Sequence, residues 1–385
     1  MVARHLPPEY TGAGQQALTL ARCLSDKINI FAVCEQGRQK PGKEIVDGVE
    51  IHRLKTYINR SEFGIGKIIY AINLFFFLIK NNNQYDIIHC IGSSFIVLPA
   101  FIAAKLFKKK VSVKLTLAGK DGDDPDALKR RNIGKIVYQA LQRIDAIICV
   151  SQQLYDICRR HGIPEEKLYK IPNGVDTDLF KPMQKSEKLK LRKQLGLPKN
   201  DLIVCFTGKT GRRKRIDLAV KTVANALNTY PNLFLSIIGP KDIQDIDFIK
   251  YVKYIIESSG ILGKIRFTGF LEFHEAGNFM RASDIFLLPS SSEGLPNALL
   301  EAMACGLCCV VADKPPMNFL IQNNHNGFVV NPENMDEFKH IIERFVNNSS
   351  DINNIGVTAR RYIENTYAIN QIADKYLQLY RKINF

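Results

Sequence analysis

Two carboxylates, Glu293 and Glu301, stand with seven residues between them in the stretch SSSEGLPNALLEAMACG, residues 290–306. The first sits in a polar loop behind an apolar strand pattern, IFLLPS; the second lies inside an apolar run of helical character. Pro296 suits the first turn of that helix. The amides of Leu295, Asn297 and Ala298, beyond Gly294, would then lack partners within the helix and be open to a phosphate or a sugar hydroxyl. An apolar helix rarely keeps a carboxylate such as Glu301 without a partner. A ribose diol is one such partner, because a carboxylate accepts two hydroxyl hydrogen bonds. The plain alternative is a loop acid and a helix acid, both solvated. Glycoside hydrolysis is another, but it needs two acids that flank the bond. Acids from one strand–helix junction suit gripping a ligand along its length better.

A second cluster is cationic. FTGKTGRRKRID, residues 206–217, follows a strand pattern and crowds Lys209, Arg212, Arg213, Lys214 and Arg215 behind Gly208. Cations at a strand–helix turn match a diphosphate, whose charge needs pairing more than shape; a solvated basic loop is the alternative. Near the start, YTGAGQQALTLARCL opens a helix with Gly12 and Gly14. These glycines would let backbone amides approach an anion. The stretch falls short of the dinucleotide fingerprint, and a tight turn would explain it too.

The elements that must position these residues alternate. In the first half, strand patterns at 28–33, 86–91, 111–117 and 146–150 alternate with helical ones at 14–25, 65–80, 95–107, 133–143 and 152–161. In the second half, LIVCFTG, LFLSIIG, IRFTG, IFLLPS and CCVVA alternate with helical patterns near 216–229, 247–258, 274–281 and 297–305. Two such runs predict an α/β protein of two doubly wound, Rossmann-like domains. Punctuation in YKIPNGVDTDLFKP sets the boundary between them at 182/183. Ligands bind at the carboxyl ends of strands in open α/β sheets, so a deep cleft between the domains is the expected site.

Composition bounds the class. The chain has 385 residues, 46% hydrophobic and 24% charged, with a net charge of +15 spread over both halves. Its opening, MVARHLPPEY, lacks the apolar core of a leader. The longest apolar run, IIYAINLFFFLI at 68–79, lies between Lys67 and Lys80 and is too short to span a bilayer. It reads as a buried helix or one lying on a membrane surface. Nine scattered cysteines argue against a disulfide framework and fit a reducing cytoplasm. Cys305, Cys308 and Cys309 lack further ligands nearby, so no metal site is expected. The basic excess favours anionic partners: nucleotide-sugars, anionic lipids or nucleic acid. The absence of an aromatic-studded basic stripe counts against nucleic acid.

In combination, PPEYTGAGQQALTLARCL, YDIIHCIG, IDAIICVSQQLYDICRRHGIPEEKLYKIPNGVDTDLFKP, FTGKTGRRKRID, IRFTGFLEFHEAGNFMRASDIFLLPSSSEGLPNALLEAMACG and QIADKYLQLYRKI resemble the family 4 retaining glycosyltransferases of GT-B fold. The resemblance implies transfer of a sugar from a nucleoside-diphosphate sugar to an acceptor hydroxyl. It implies same-face attack, with the leaving phosphate taking the acceptor's proton, and neither an essential metal nor a further cofactor. It implies a second domain of residues 183–365 and a terminal helix, residues 366–385, crossing back to the first domain, residues 1–182. The acceptor would be a sugar or lipid-linked, and the setting cytoplasmic cell-surface polysaccharide synthesis. The residues add a further expectation: Lys67, Lys80, Lys105 and Lys108 to Lys110 flank the two most apolar segments of a basic first half, so the first domain could dock peripherally on the inner face of an anionic membrane, with core helices and solubilising lysines as the alternative. By motif, Glu301 matches the ribose-binding acid and Glu293 the acid beside the donor sugar. The amides after Gly294, from Leu295 through Pro296, Asn297 and Ala298, match those holding sugar and diphosphate. Lys214 matches the diphosphate lysine, and Lys209, beside Gly208, stands where an arginine is usual. Phe270 and Leu271 match the stretch lining the base, and Gly12 and Gly14 the loop over phosphate and acceptor.

Departures are visible. Ala118 replaces a usual histidine, with Asp121, Asp123 and Asp124 behind it as acceptor-binding or base candidates or a solvated acidic loop. Arg215 replaces a usual glycine, and the first strand looks shortened, so the true start is expected upstream. His89 reads as strand-end packing; His5 and His325 have no evident partner. The competing functions are a non-catalytic basic protein binding nucleotide or anionic surfaces, and a degenerate transferase.

Overall fold

Six strands of the second half lie parallel in the order Ile265–Phe267, Leu233–Ile238, Leu202–Thr207, Ile285–Leu288, Cys308–Ala312 and Phe328–Val330. By position in the chain this order is 3-2-1-4-5-6, the doubly wound arrangement, and it reverses between the first and fourth strands. The strands are continuous apolar runs because helices cover both faces. Val204, Phe206, Ile285 and Val310 are fully buried with Ile216, Val220 and Phe248 from the helices Ile216–Leu227 and Ile246–Ser258. The computed structural model describes residues 1–9, 11–56, 65–241, 245–331, 333–347 and 349–384. It divides the chain into Met1–Gly174 with Ile369–Phe385, and Val175–Ala368. The divisions fall at 174/175 and 368/369, against the 182/183 and 365/366 expected.

The first unit repeats the winding. Phe31–Glu35, Val49–Leu54 and Gly42–Val46 form one group of strands, and Ile87–Ile91, Lys110–Leu115, Ala146–Cys149 and Leu168–Lys170 the other. Val2 pairs in parallel with both Val33 and Cys90, so residues 1–4 join the two groups where the order reverses. The helix Ile369–Asn384 buries Ile372, Tyr376 and Leu379 beside Leu20 and Leu24 of the helix Gly12–Leu24. Sequence patterning missed the hairpin Gly42–Val46 to Val49–Leu54. Its two-residue turn, Asp47-Gly48, has positive φ at both positions, the hairpin signature that the pair Asp-Gly carries.

One buried ionic staple secures the second unit. Arg192, on the helix Lys185–Gln194, is buried and donates to the carbonyls of Ala282 (2.9 Å), Lys199 (3.2 Å) and Asp201 (3.0 Å) and to Asp284 Oδ2 (2.5 Å). Asp284 Oδ2 also accepts from the amide of Ile203, at the start of the central strand. Truncating one member of such a network strands its partners without water. Arg192→Ala is therefore expected to destabilise the second unit by about 3 kcal/mol, read as a lower urea midpoint; an unchanged midpoint would show that the staple contributes nothing.

Candidate active site

The loops that follow the first and fourth strands of the second unit meet at its switch point. The first runs from Gly208 through a short 3-10 turn, Arg212–Lys214, into the helix Ile216–Leu227. The second runs from Leu288 to Pro296 and into the helix Asn297–Ala304. Ser291 ties them together: its amide and its hydroxyl both donate to the Arg213 carbonyl, at 2.9 and 3.0 Å.

Glu293 is held across this junction. Its carboxylate accepts from Lys214 Nζ at 2.6 Å and from Arg213 Nη1 at 2.9 Å. Arg213 Nη1 also donates to the Ser292 carbonyl at 2.6 Å. The residue is only 6% exposed. Burial alone would raise its pKa, but the Lys214 ammonium and Arg213 guanidinium outweigh that and hold it below the ordinary carboxylate value. Gly208 makes room for the lysine. Its φ is +146°, and a Cβ there would lie 3.3 Å from Lys214 Cε. Arg215 adopts a left-handed φ of +51° as it opens the next helix, which explains the glycine usual at this place. Pairing with Asp217 and Glu333, at 3.3 and 3.2 Å, accompanies the strained conformation.

Glu301 lies in the same neighbourhood in the opposite state. It is 8% exposed, and among the described residues its carboxyl has no hydrogen-bond partner. Burial pushes its pKa up to about 7, only partly offset by the Lys214 charge. Pro296 is the residue before the helix, not one of its first turn as expected: its ψ of 98° is extended, and its carbonyl accepts from the amides of Leu299 and Leu300. The amides of Asn297 and Ala298 thus precede the first intrahelical bond, as the helix geometry requires.

The structure sorts the remaining candidates. Of the five clustered cations, Arg213 and Lys214 reach Glu293, whereas Arg212 turns away to Asp245 at 2.6 Å and Lys209 is exposed at the loop's start. Sequence reading had Arg213 only as one charge in the crowd; chain order does not show which of five cations faces the acid. Phe270 is 47% exposed and stands with Leu271 beyond Gly269, at the carboxyl end of the strand Ile265–Phe267.

In the first unit, the Gly14 amide is already within 3.5 Å of the Thr11 hydroxyl that caps its helix, and a Cβ at Gly14 would strike the His5 carbonyl. Close packing thus accounts for this glycine without a ligand. Asp123 accepts from the amides of Ser93, Thr116 and Leu117, and Asp124 from those of Gly119 and Ala127. Both aspartates hold the loop around the buried Ala118, which gives them a structural role; Asp121 is exposed. His89 is buried within its strand, 2.8 Å from Ser112 Oγ and edge-on to Tyr376. His5 lies 3.0 Å from Glu35. Cys305, Cys308 and Cys309 are buried thiols, and among the described residues no His, Cys, Asp or Glu group is arranged to hold a metal.

This architecture and these motifs have relatives. Residues 10–179 match the family model described as Glycosyltransferase Family 4, and residues 187–367 the model described as Glycosyl transferases group 1. The UDP-Gal:alpha-D-GlcNAc-diphosphoundecaprenol alpha-1,3-galactosyltransferase of Escherichia coli is 29% identical over 77% of this chain and 75% of its own length. HepE of Anabaena, solved with UDP and glucose, superposes with a TM-score of 0.80 over 99% of both chains at 18% identity. The sucrose-phosphate synthase of Thermosynechococcus elongatus gives 0.81 over 99% of this chain and 98% of its own at 19% identity; both likenesses speak to the fold. With its two doubly wound units and with both family models matched in series, the chain belongs to the family 4, group 1 glycosyltransferases and has the GT-B fold.

Proposed function

We propose that this glycosyltransferase takes its sugar from a nucleoside-diphosphate donor gripped at the second unit's switch point, and passes it to an acceptor hydroxyl with retention and without a bound metal. The observation that carries the proposal is the charge balance there. Glu293 is matched by two cations, which leaves one net positive charge beside Glu301, whose pKa burial raises to about 7. A diphosphate fits that balance. An ammonium has three N–H donors. Lys214 gives one to Glu293, leaving others for phosphate oxygens, with Lys209 as a further cation. Gly208 keeps the lysine's place open, and the turn from Gly294 through Leu295, Pro296, Asn297 and Ala298 would offer amides to sugar and phosphate. Glu301 would take the ribose diol, Phe270 and Leu271 would line the base, and Gly12 and Gly14 would lie on the acceptor side.

In this reading the bond from the anomeric carbon to the diphosphate oxygen breaks as the acceptor oxygen bonds on the same face. The acceptor's proton passes to the leaving phosphate, whose charge the cations and helix amides stabilise. The Escherichia coli relative is named for a UDP-sugar and a lipid-linked sugar acceptor, and HepE was solved with UDP and glucose. Both support a nucleotide-sugar donor, and the first supports a sugar or lipid-linked acceptor in cell-surface polysaccharide synthesis. Nine cysteines present as thiols suit a cytoplasmic setting.

Four outcomes follow. Glu301→Gln is expected to weaken donor binding more than tenfold, since a hydrogen bond to a charged group is worth about 1.5–3 kcal/mol; unchanged affinity in calorimetry would remove the ribose assignment. Diol hydrogen bonds favour the carboxylate, so a nucleotide-sugar should displace the Glu301 proton. Titrations near pH 7 in buffers of differing ionisation enthalpy should show proton release by the wild type and none by Glu301→Gln. Lys214→Ala should lower kcat by about 100-fold or more with little change in melting temperature, because Arg213 still pairs Glu293; parallel losses would make the lysine structural. Activity should survive chelators, and strict dependence on added Mg²⁺ or Mn²⁺ would contradict the metal-free reading.

A further inference from the structure

Three helices of the first unit, Ile65–Lys80, Val97–Leu106 and Asn132–Leu141, lie side by side, the middle one packed against both neighbours. Their inner faces are core: Tyr70, Leu74, Ala103 and Val137 are buried. The outer faces are apolar as well. Ile68, Ile72 and Phe76 are 60%, 49% and 62% exposed, at the four-residue spacing that puts them on one stripe. On the other two helices Leu106 and Ile136 are 61% and 55% exposed. A water-facing helix surface is ordinarily polar, and an exposed apolar patch this broad marks an interaction site.

The charges say what covers it. The three helices contain Lys67, Lys80, Lys105 and Lys135 and not one aspartate or glutamate. A second copy of the chain, itself +15, would bring the same lysines face to face and repel. An apolar protein partner would leave the cations unmatched. A lipid surface with anionic headgroups matches both features: aliphatic side chains enter the headgroup–acyl boundary while lysine stems reach back to the phosphates. We propose that this three-helix layer docks the enzyme on an anionic bilayer. Such docking would present the protein to a lipid-linked acceptor, but it stands on the surface alone and not on the donor reading.

Co-sedimentation of the full chain with vesicles of phosphatidylcholine, with or without an equal part of phosphatidylglycerol, tests it. Two variants probe the two components: Ile68→Ser/Ile72→Ser/Phe76→Ser for the apolar stripe, and Lys80→Glu/Lys105→Glu/Lys135→Glu for the charge. All six side chains are exposed, so both variants should keep the wild-type melting temperature. Binding is expected to the anionic vesicles, about tenfold or more weaker to the neutral ones and falling with salt. Each variant should lose at least about tenfold in partitioning. No binding at low salt, equal binding to both vesicles, or binding unchanged in the stripe variant would overturn the proposal. So would a wild-type dimer that the stripe variant converts to monomer, since a second copy would then be the occupant.

Discussion

A carboxylate withdrawn from water at the junction of two central strands must be matched by charge, and the second unit is organised around that requirement. Glu293 is nearly buried, and an unpaired anion there would be expelled or protonated. Lys214 and Arg213, neighbours in the chain, reach it from the other loop. For both to arrive, the first and fourth strands must be adjacent, which the doubly wound order guarantees. Gly208 must lack a side chain, and Arg215 must accept a left-handed backbone so that the next helix starts in place. Ser291 then locks the loops by two hydrogen bonds to one carbonyl.

The same cluster holds two carboxyls in opposite states. Glu293 is pulled down by direct contact with two cations, whereas Glu301, with no hydrogen-bond partner among the described residues, is pushed up to about 7 by burial. Lys214 acts on both, but its contact is with Glu293. A site with one fixed anion, two cations and one carboxyl that ionises near neutrality can receive a doubly charged ligand at one end and hydroxyls at the other. In the proposed reading, that asymmetry is the reason one acid stands in the loop and the other in the helix.

Much of this was legible in the sequence. Strand–helix alternation and the two punctuated loops carry the fold class, because these depend on local periodicity, and the spacing of Glu293 and Glu301 marks the strand–helix junction; Lys214 stands out from its neighbouring cations only through the motif resemblance. What escaped depends on three dimensions. Residues 1–4 are too few to read as a strand and are recognisable only by pairing with Val33 and Cys90. The roles of Asp123 and Asp124 as loop anchors, and of Gly14 beside the His5 carbonyl, rest on contacts no spacing encodes. Arg213 differs from Arg212 only in the direction a short 3-10 turn gives it. The apolar run at 68–79 looked like a choice between core and surface; the helix is both, burying Tyr70 and Leu74 and exposing Ile68, Ile72 and Phe76.

The central claim is that the donor's nucleoside diphosphate is held by the two switch-point loops of the second unit. Hydrogen exchange of the whole chain, with and without saturating UDP, GDP or ADP, reads this directly at the backbone. The account predicts that the nucleotide that binds will slow exchange in residues 207–216 and 290–301. A nucleotide shown by calorimetry to bind, yet leaving both segments unprotected, would contradict it.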